Sequence, residues 1–325
     1  MNELAMIAYV AHVELLTPKL EESLCFFRDV LGLHEVARQA QSIYLRAFGE
    51  YDHYSLKVTE ARQAGVAHTA LRAMSPQALE RAVTSLATSG QGRGWIDGDR
   101  GHGRAYQFCD LDGHLFEIYY ESEPYQAPWD QRAALKNQPQ RTSDRGIGVR
   151  RLDHVNFFAL QPSANRMFLQ EHLGALLTEQ LVLDEVETGS WLTFTNKAHD
   201  LVYTQDATNV AGRLHHLAYW VDNREDVLRA ADIFLEHRIF IEAAPSKHAI
   251  GQGFFLYGYE PGGNRIEVTT GSYLIFAPDW QPIVWNESDR AKGQAWTVPT
   301  VASVHTYGTP HVGPSYVIKP TGAQR

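Results

Sequence analysis

The chain has 325 residues, 44% of them hydrophobic and 21% charged, with a formal net charge of −9 at pH 7. That balance, with no Lys/Arg run to form a basic patch, argues against a nucleic-acid partner, and no apolar stretch approaches the roughly 20 residues of a membrane span. Cys25 and Cys109 belong to no CxxC pair, so a reducing, cytoplasmic setting is expected.

The apolar start, Leu4 to Ala11, lacks a basic leader and reads as part of a strand from Ile7 to Leu16, with His12 and Glu14 on one face. Thr17-Pro18 opens a helix in which Leu20, Leu24, Phe27 and Leu31 recur at helical spacing, and Gly32 closes it. Strand-like runs follow at 42–47, 54–59 and 66–72. A helix from Ser75-Pro76 turns Leu79, Val83 and Leu86 inward. Strands at 105–109 and 115–120 are joined by the turn Asp110-Leu111-Asp112-Gly113, and the polar stretch 122–146 suits a linker.

The order then recurs. A strand is expected at 153–159, a helix capped by Ser163 and ending at Leu173-Gly174, and strands at 191–195, 201–204 and 214–221. Asp222 or Asn223 caps a helix with Val227, Ala231 and Phe234 inward. Next comes a hairpin: the aromatic run Phe254 to Tyr259, the turn Glu260-Pro261-Gly262-Gly263-Asn264, and Arg265-Ile266-Glu267-Val268-Thr269. Alternation places Arg265, Glu267 and Thr269 on one face.

The two halves can be matched residue by residue: His12 with His154, His68 with His216 and Glu117 with Glu267, at offsets of 142, 148 and 150. Each half reads as two βαβββ modules, giving an α+β fold of two tandem domains. The expected division is 1–122, a linker at 123–147, a second domain at 148–275 and a Pro-rich tail at 276–325. The tail is expected to wrap the second domain or a neighbouring subunit.

A buried carboxylate such as Glu267 needs a cationic partner. His154 and His216 lie at equivalent positions on the first strands of successive modules, so a pseudo-symmetric pairing brings them together. Two imidazoles and one carboxylate suit a divalent first-row metal with open positions, Fe(II) with Mn(II) as a substitute.

These motifs resemble the type I extradiol ring-cleaving dioxygenases of the vicinal oxygen chelate superfamily, and among them the catechol 2,3-dioxygenases. The resemblance rests on His248, a seven-residue spacer, Leu256-Tyr257, Glu260-Pro261-Gly262-Gly263 and Glu267. It extends to Leu152-Asp153-His154, Asn196-Lys197-Ala198-His199-Asp200 and Gly212-Arg213-Leu214-His215-His216. Ser246 departs mildly from the small residue that the family carries there.

The resemblance implies that His154, His216 and Glu267 hold the metal, that His199 is an acid/base, and that His248 and Tyr257 contact the catechol hydroxyls. It further implies O2-dependent cleavage of catechol or an alkylcatechol to a 2-hydroxymuconic semialdehyde by a homotetramer. A larger or carboxylated catechol, with Arg265 as its partner, is the alternative, and a glyoxalase-like isomerase a more distant one. Trp191 and Ile250, with Trp280, Trp285 and Trp296, are the expected walls of an apolar pocket. The first half has Gln107 where the second has Tyr257, and His53 aligns with His199. The family implies a metal-free first domain, with a vestigial site at His12, His68 and Glu117 as the alternative.

Overall fold

The computed structural model describes residues 5–292, 295–296 and 300–312, and four βαβββ modules follow one another along the chain. The first contains β1 (Ile7–Thr17), α1 (Leu20–Cys25) with a π-helical extension (Phe26–Val30), β2 (His34–Gln39), β3 (Ser42–Arg46) and β4 (Leu56–Glu60). The second contains β5 (Gly65–Ala73), α2 (Pro76–Thr88), β6 (Gly92–Ile96), β7 (Ala105–Cys109) and β8 (Leu115–Tyr119). The third contains β9 (Arg151–Ala159), α3 (Pro162–Leu173), β10 (Leu176–Leu183), β11 (Val186–Thr193) and β12 (Leu201–Gln205). The fourth contains β13 (Arg213–Trp220), α4 (Arg224–Glu236), β14 (Ile241–Lys247), β15 (Phe254–Tyr259) and β16 (Arg265–Thr270).

The first two modules form one sheet in the order β2-β3-β4-β1-β5-β8-β7-β6. Its centre is the antiparallel pair β1–β5, so the first strands of the two modules lie side by side. The second pair repeats this as β14-β15-β16-β13-β9-β12-β11-β10, with β9 and β13 central and antiparallel. Two tail strands extend it: β17 (Ile283–Trp285) beside β10 and β18 (Thr309–Pro310) beside β13.

Helices cover the apolar side of each sheet. In α4 the buried residues are Val227, Ala230 and Phe234, and in α2 they are Ala78, Ala82 and Leu86. Val13 and Leu15 of β1 enter this core, while the alternate residues His12 and Glu14 face the opposite side. Apolar residues of both halves join in one continuous core, with Phe116 against Phe157 and Phe26 against Phe234.

Some local expectations are corrected. Gln161, and not Ser163, precedes α3, because Pro162 occupies the first helical turn and Ser163 lies inside. Asn223 is the cap of α4, its side chain accepting from the Asp226 amide at 2.9 Å. Four strands without a clear sequence signal, β2, β6, β10 and β14, occupy the outer positions of their module sheets. There the alternation of apolar residues is weakest, as in β6 with no fully buried residue.

The halves interlock through equivalent turns. Asp110 Oδ1 accepts from the amides of Asp112 and His114, while Oδ2 meets His114 Nδ1 at 2.7 Å and accepts from the Tyr203 hydroxyl at 2.8 Å. His114 Nε2 reaches the Arg213 carbonyl at 3.2 Å. In the other half, Glu260 accepts from the amides of Gly262 and Asn264 and from the Ser23 hydroxyl at 2.6 Å. Asn264 Nδ2 donates to the Leu16 carbonyl at 3.0 Å. Each domain thus plugs its last hairpin turn into the other. Asp110→Ala leaves the buried His114 and Tyr203 donors without an acceptor, at an expected cost of about 2–4 kcal/mol. A urea-unfolding midpoint equal to the parent's would show that this turn does not fasten the halves.

Candidate metal centre

The pairing of β13 builds the site. Ala218 faces His154 across the antiparallel β9–β13 pair and Glu267 across the parallel β13–β16 pair. His216 stands two residues before Ala218 on the same strand and therefore on the same face. A methyl group at 218 leaves the space into which its three larger neighbours converge.

His154 Nε2 lies 3.0 Å from His216 Nε2, and Glu267 Oε2 lies 3.1 Å and 3.0 Å from the two nitrogens. All three residues are buried, and Glu267 Oε2 has no hydrogen-bond donor of acceptable geometry. Buried polar atoms are normally satisfied. Two nitrogens and an unsatisfied carboxylate oxygen at this separation fit a shared divalent cation.

Outer partners hold two of these donors in place. Asp153 Oδ2 lies 2.9 Å from His154 Nδ1, which places the proton there and turns the Nε2 lone pair to the centre. Asp153 is itself held by Lys197 and Arg151. His216 Nδ1 meets His215 Nδ1 at 2.7 Å. Burial opposes charge on His154, but the contacts with Asp153 and Glu267 outweigh it and raise its pKa to about 9. Burial lowers that of His216 to about 4, against the pull of Glu267. The Glu267 carboxyl stays well below its ordinary range, since the contacts with His216, His154 and His248 outweigh burial.

A cavity opens over the three donors. His199 stands on one side, its ring centroid 4.3 Å from that of His154. Burial foremost, then the neighbouring His154, hold its pKa well below the ordinary value, and its Nδ1 has no partner. On the other side, Tyr257 lies opposite Glu267 in the β15–β16 pair, and its hydroxyl is 3.2 Å from His248 Nε2. His248 stacks on Phe255 at 3.6 Å and approaches Glu267 Oε1 at 3.7 Å. Burial raises the Tyr257 pKa well above that of a free phenol.

Trp191 and Ile250 line the cavity with Leu181, Val202 and Val304. Trp280, Trp285 and Trp296 are not among its lining residues; the Trp280 and Trp285 indoles donate instead to Thr178 O and Glu179 Oε2. The tail supplies Thr300, Val304 and His305 in their stead. Sequence reasoning missed Asn156, Ala218 and His215. Asn156 and Ala218 each lie two residues beyond a proposed histidine, so strand alternation already places them on its face. Arg265 is fully buried and bidentate with Glu242, and it does not line the cavity.

Residues 9–118 and 151–268 each match the Glyoxalase/Bleomycin resistance protein/Dioxygenase superfamily. The chain is 45% identical over 292 residues to a metapyrocatechase of Geobacillus stearothermophilus, covering 89% of each protein. It is 42% identical over 300 residues to a manganese-dependent 2,3-dihydroxybiphenyl 1,2-dioxygenase of Geobacillus genomosp. 3, covering 91% of this chain and 95% of that one. Homoprotocatechuate 2,3-dioxygenase of Brevibacterium fuscum, in complex with 3,4-dihydroxyphenylacetate, superposes with a TM-score of 0.85 at 27% identity over 98% of both chains. The chain belongs to the Glyoxalase/Bleomycin resistance protein/Dioxygenase superfamily. Within it, this is an oxidoreductase of the extradiol dioxygenase type.

Replacing an outer-sphere partner typically costs about 10–100-fold in metal affinity. Asp153→Asn is expected to weaken divalent-metal binding by that factor, and Glu267→Gln by more. Competition with a metallochromic chelator measures both, and parental affinity in Glu267→Gln would remove that residue from the donor set.

Proposed function

We propose that the chain opens catechol or an alkylcatechol with O2 to a 2-hydroxymuconic semialdehyde, using Fe(II), or Mn(II) as a substitute, between His154, His216 and Glu267. The observation that carries this reading is the meeting of three donors on one face of a cavity flanked by His199 and by the His248–Tyr257 pair. The metal, when bound, supplies a Lewis-acidic seat for two vicinal oxygens and the one-electron chemistry that O2 requires.

His248 and Tyr257 receive the diol. Tyr257 keeps its proton at neutral pH and donates to a catechol oxygen, while His248 takes up a hydroxyl proton. His199, neutral because it is buried, accepts a proton from the reacting group and returns it. Catechol and O2 together contain every atom of the product, so each proton taken up is given back. The apolar walls, Trp191 and Ile250 among them, hold the ring and exclude water. In this reading the domain at 148–275 is catalytic, 1–122 is a non-catalytic scaffold joined by the linker at 123–147, and the tail at 276–325, of which 293–294, 297–299 and 313–325 lie outside the described residues, wraps the catalytic domain in a homotetramer.

The lining favours an uncharged catechol. No Lys or Arg occurs among the described lining residues, and the Arg265 charge is already neutralised by Glu242. Homoprotocatechuate-type substrates would bring a carboxylate with no cation to meet it. The single carboxylate among the donors also disfavours a glyoxalase-like isomerase, in which four protein ligands are usual.

Protein loaded anaerobically with Fe(II), then given catechol and air, is expected to consume O2 and turn yellow. Absence of both with every alkyl- and arylcatechol rejects the proposal. His199→Asn is expected to keep its metal and lose about 100-fold in kcat; a parental rate removes its acid/base role. 3,4-Dihydroxyphenylacetate should show a lower kcat/KM than catechol.

A further inference from the structure

The second-domain register is duplicated in the first. In the first-domain sheet Ala70 faces His12 across the antiparallel β1–β5 pair and Glu117 across the parallel β5–β8 pair. His68 stands two residues before Ala70, as His216 stands before Ala218. His12 Nε2 and His68 Nε2 approach to 3.1 Å, and His68 Nε2 lies 3.6 Å from Glu117 Oε2. One further donor has no counterpart in the sequence match. His102, just before β7, brings a ring nitrogen within 4.8 Å of donor atoms of both His12 and Glu117.

We propose that His12, His102 and Glu117, with His68 beside His12 and Glu117 as a further donor, form a second metal site of the kind that holds Zn(II). The hydrogen bonds leave the lone pairs pointing inward. His102 Nδ1 must donate to the Gly103 carbonyl at 2.8 Å, so its Nε2 is an acceptor, and that atom is buried without a partner. His68 Nδ1 faces Glu14 Oε2 at 3.1 Å, so with a proton on that nitrogen Nε2 is the atom free to give its lone pair to a cation. Glu117 Oε1 accepts from Gln107 at 2.7 Å, leaving Oε2 for the centre. A proton on His12 Nε2 can satisfy one of these acceptors. A cation satisfies them together, and three of its four donors already have an outer partner.

Imidazole and carboxylate donors suit a structural zinc site, and His68 Nε2, 3.1 Å from His12 Nε2 and 3.6 Å from Glu117 Oε2, is the side chain that would complete the shell by moving toward it. A polar cleft lined by His68, His102, Gln107 and Glu117 provides the way in. The site differs from the second-domain centre in that Gln107 stands opposite Glu117 where Tyr257 stands opposite Glu267. No phenol stands at that register position, and the nearest one, Tyr54, has its hydroxyl 3.3 Å from His12 Nε2; the role assigned to the site is to brace the first-domain sheet.

The full-length protein, stripped with a chelator, reloaded with Zn(II) and desalted, is assayed for metal by mass spectrometry. Two equivalents per chain are expected in the parent, one in Glu267→Gln, and none in Glu267→Gln combined with His102→Ala. Glu117→Gln, which preserves volume, replaces His102→Ala where that variant does not fold. One equivalent in the parent overturns the proposal, as does undiminished binding in the combined variant. X-ray absorption of Zn(II)-loaded Glu267→Gln should show a histidine-rich shell at about 2.0–2.1 Å. A shell without histidine scattering also overturns it.

Discussion

The structure depends on one register, that of β13 between its two neighbours. β13 runs parallel to β16 and antiparallel to β9, and Ala218 is the residue where both pairings place a polar side chain. A slip of one residue in either pair would turn His154 or Glu267 into the apolar core and the neighbouring Val155 or Val268 out of it. Burial of Val155 and Val268 therefore holds the polar set in place from the opposite face of the same strands. Core packing and site assembly are a single constraint read from two sides.

The surroundings of the centre are tied to the same strands. Asp200 accepts from the Thr193 hydroxyl and the Phe194 amide at 2.7 Å, and its carbonyl accepts from the Val155 amide on β9. Lys197 bridges Asp200 and Asp153, the latter being the outer partner of His154. His199 lies between these two anchored residues, so the turn that carries it is fastened to the strand that carries His154. Gly251, at φ +70, approaches the other side of the His199 ring, where a Cβ would lie 3.0 Å from Cε1. The imidazole is thus positioned by hydrogen bonds behind it and bare backbone in front.

How much of this was legible in the sequence follows from what each signal depends on. The repeat, the central strands and the meeting of His154, His216 and Glu267 were readable because a paired central strand imposes alternation on its own residues. The outer strands β2, β6, β10 and β14 were not, since a half-exposed edge tolerates charged residues such as Arg38 and Arg93 without alternation. Ser163 satisfied the pattern of a cap, yet Pro162 had already started the helix. The tail tryptophans looked like pocket walls by composition alone. The indoles of Trp280 and Trp285 are used instead to fasten the tail to Thr178 and Glu179, a long-range pairing that no local pattern encodes. His102 was invisible for the same reason: it joins the first-domain cluster from a loop, outside the strand periodicity that betrayed His12 and His68.

Duplication makes the differences between the halves informative, because backbone geometry is shared and cannot explain them. Both sheets place two histidines and a glutamate around an alanine, and both give one histidine an acidic outer partner, Glu14 for His68 and Asp153 for His154. The halves diverge in what faces that set. In the second half stand a phenol, a histidine bonded to it and apolar walls from Leu181 to Val304, an environment in which an organic ring can displace water. In the first half Tyr54 already bonds His12 at 3.3 Å, and Gln107, Lys57 and Glu14 bind one another or the cluster and favour water over a ring. There a third imidazole, His102, stands within reach of His12 and Glu117. In the reading proposed here one half closes its polar centre with a protein donor and the other leaves it open to a ligand, which is why the chemistry is proposed for the second.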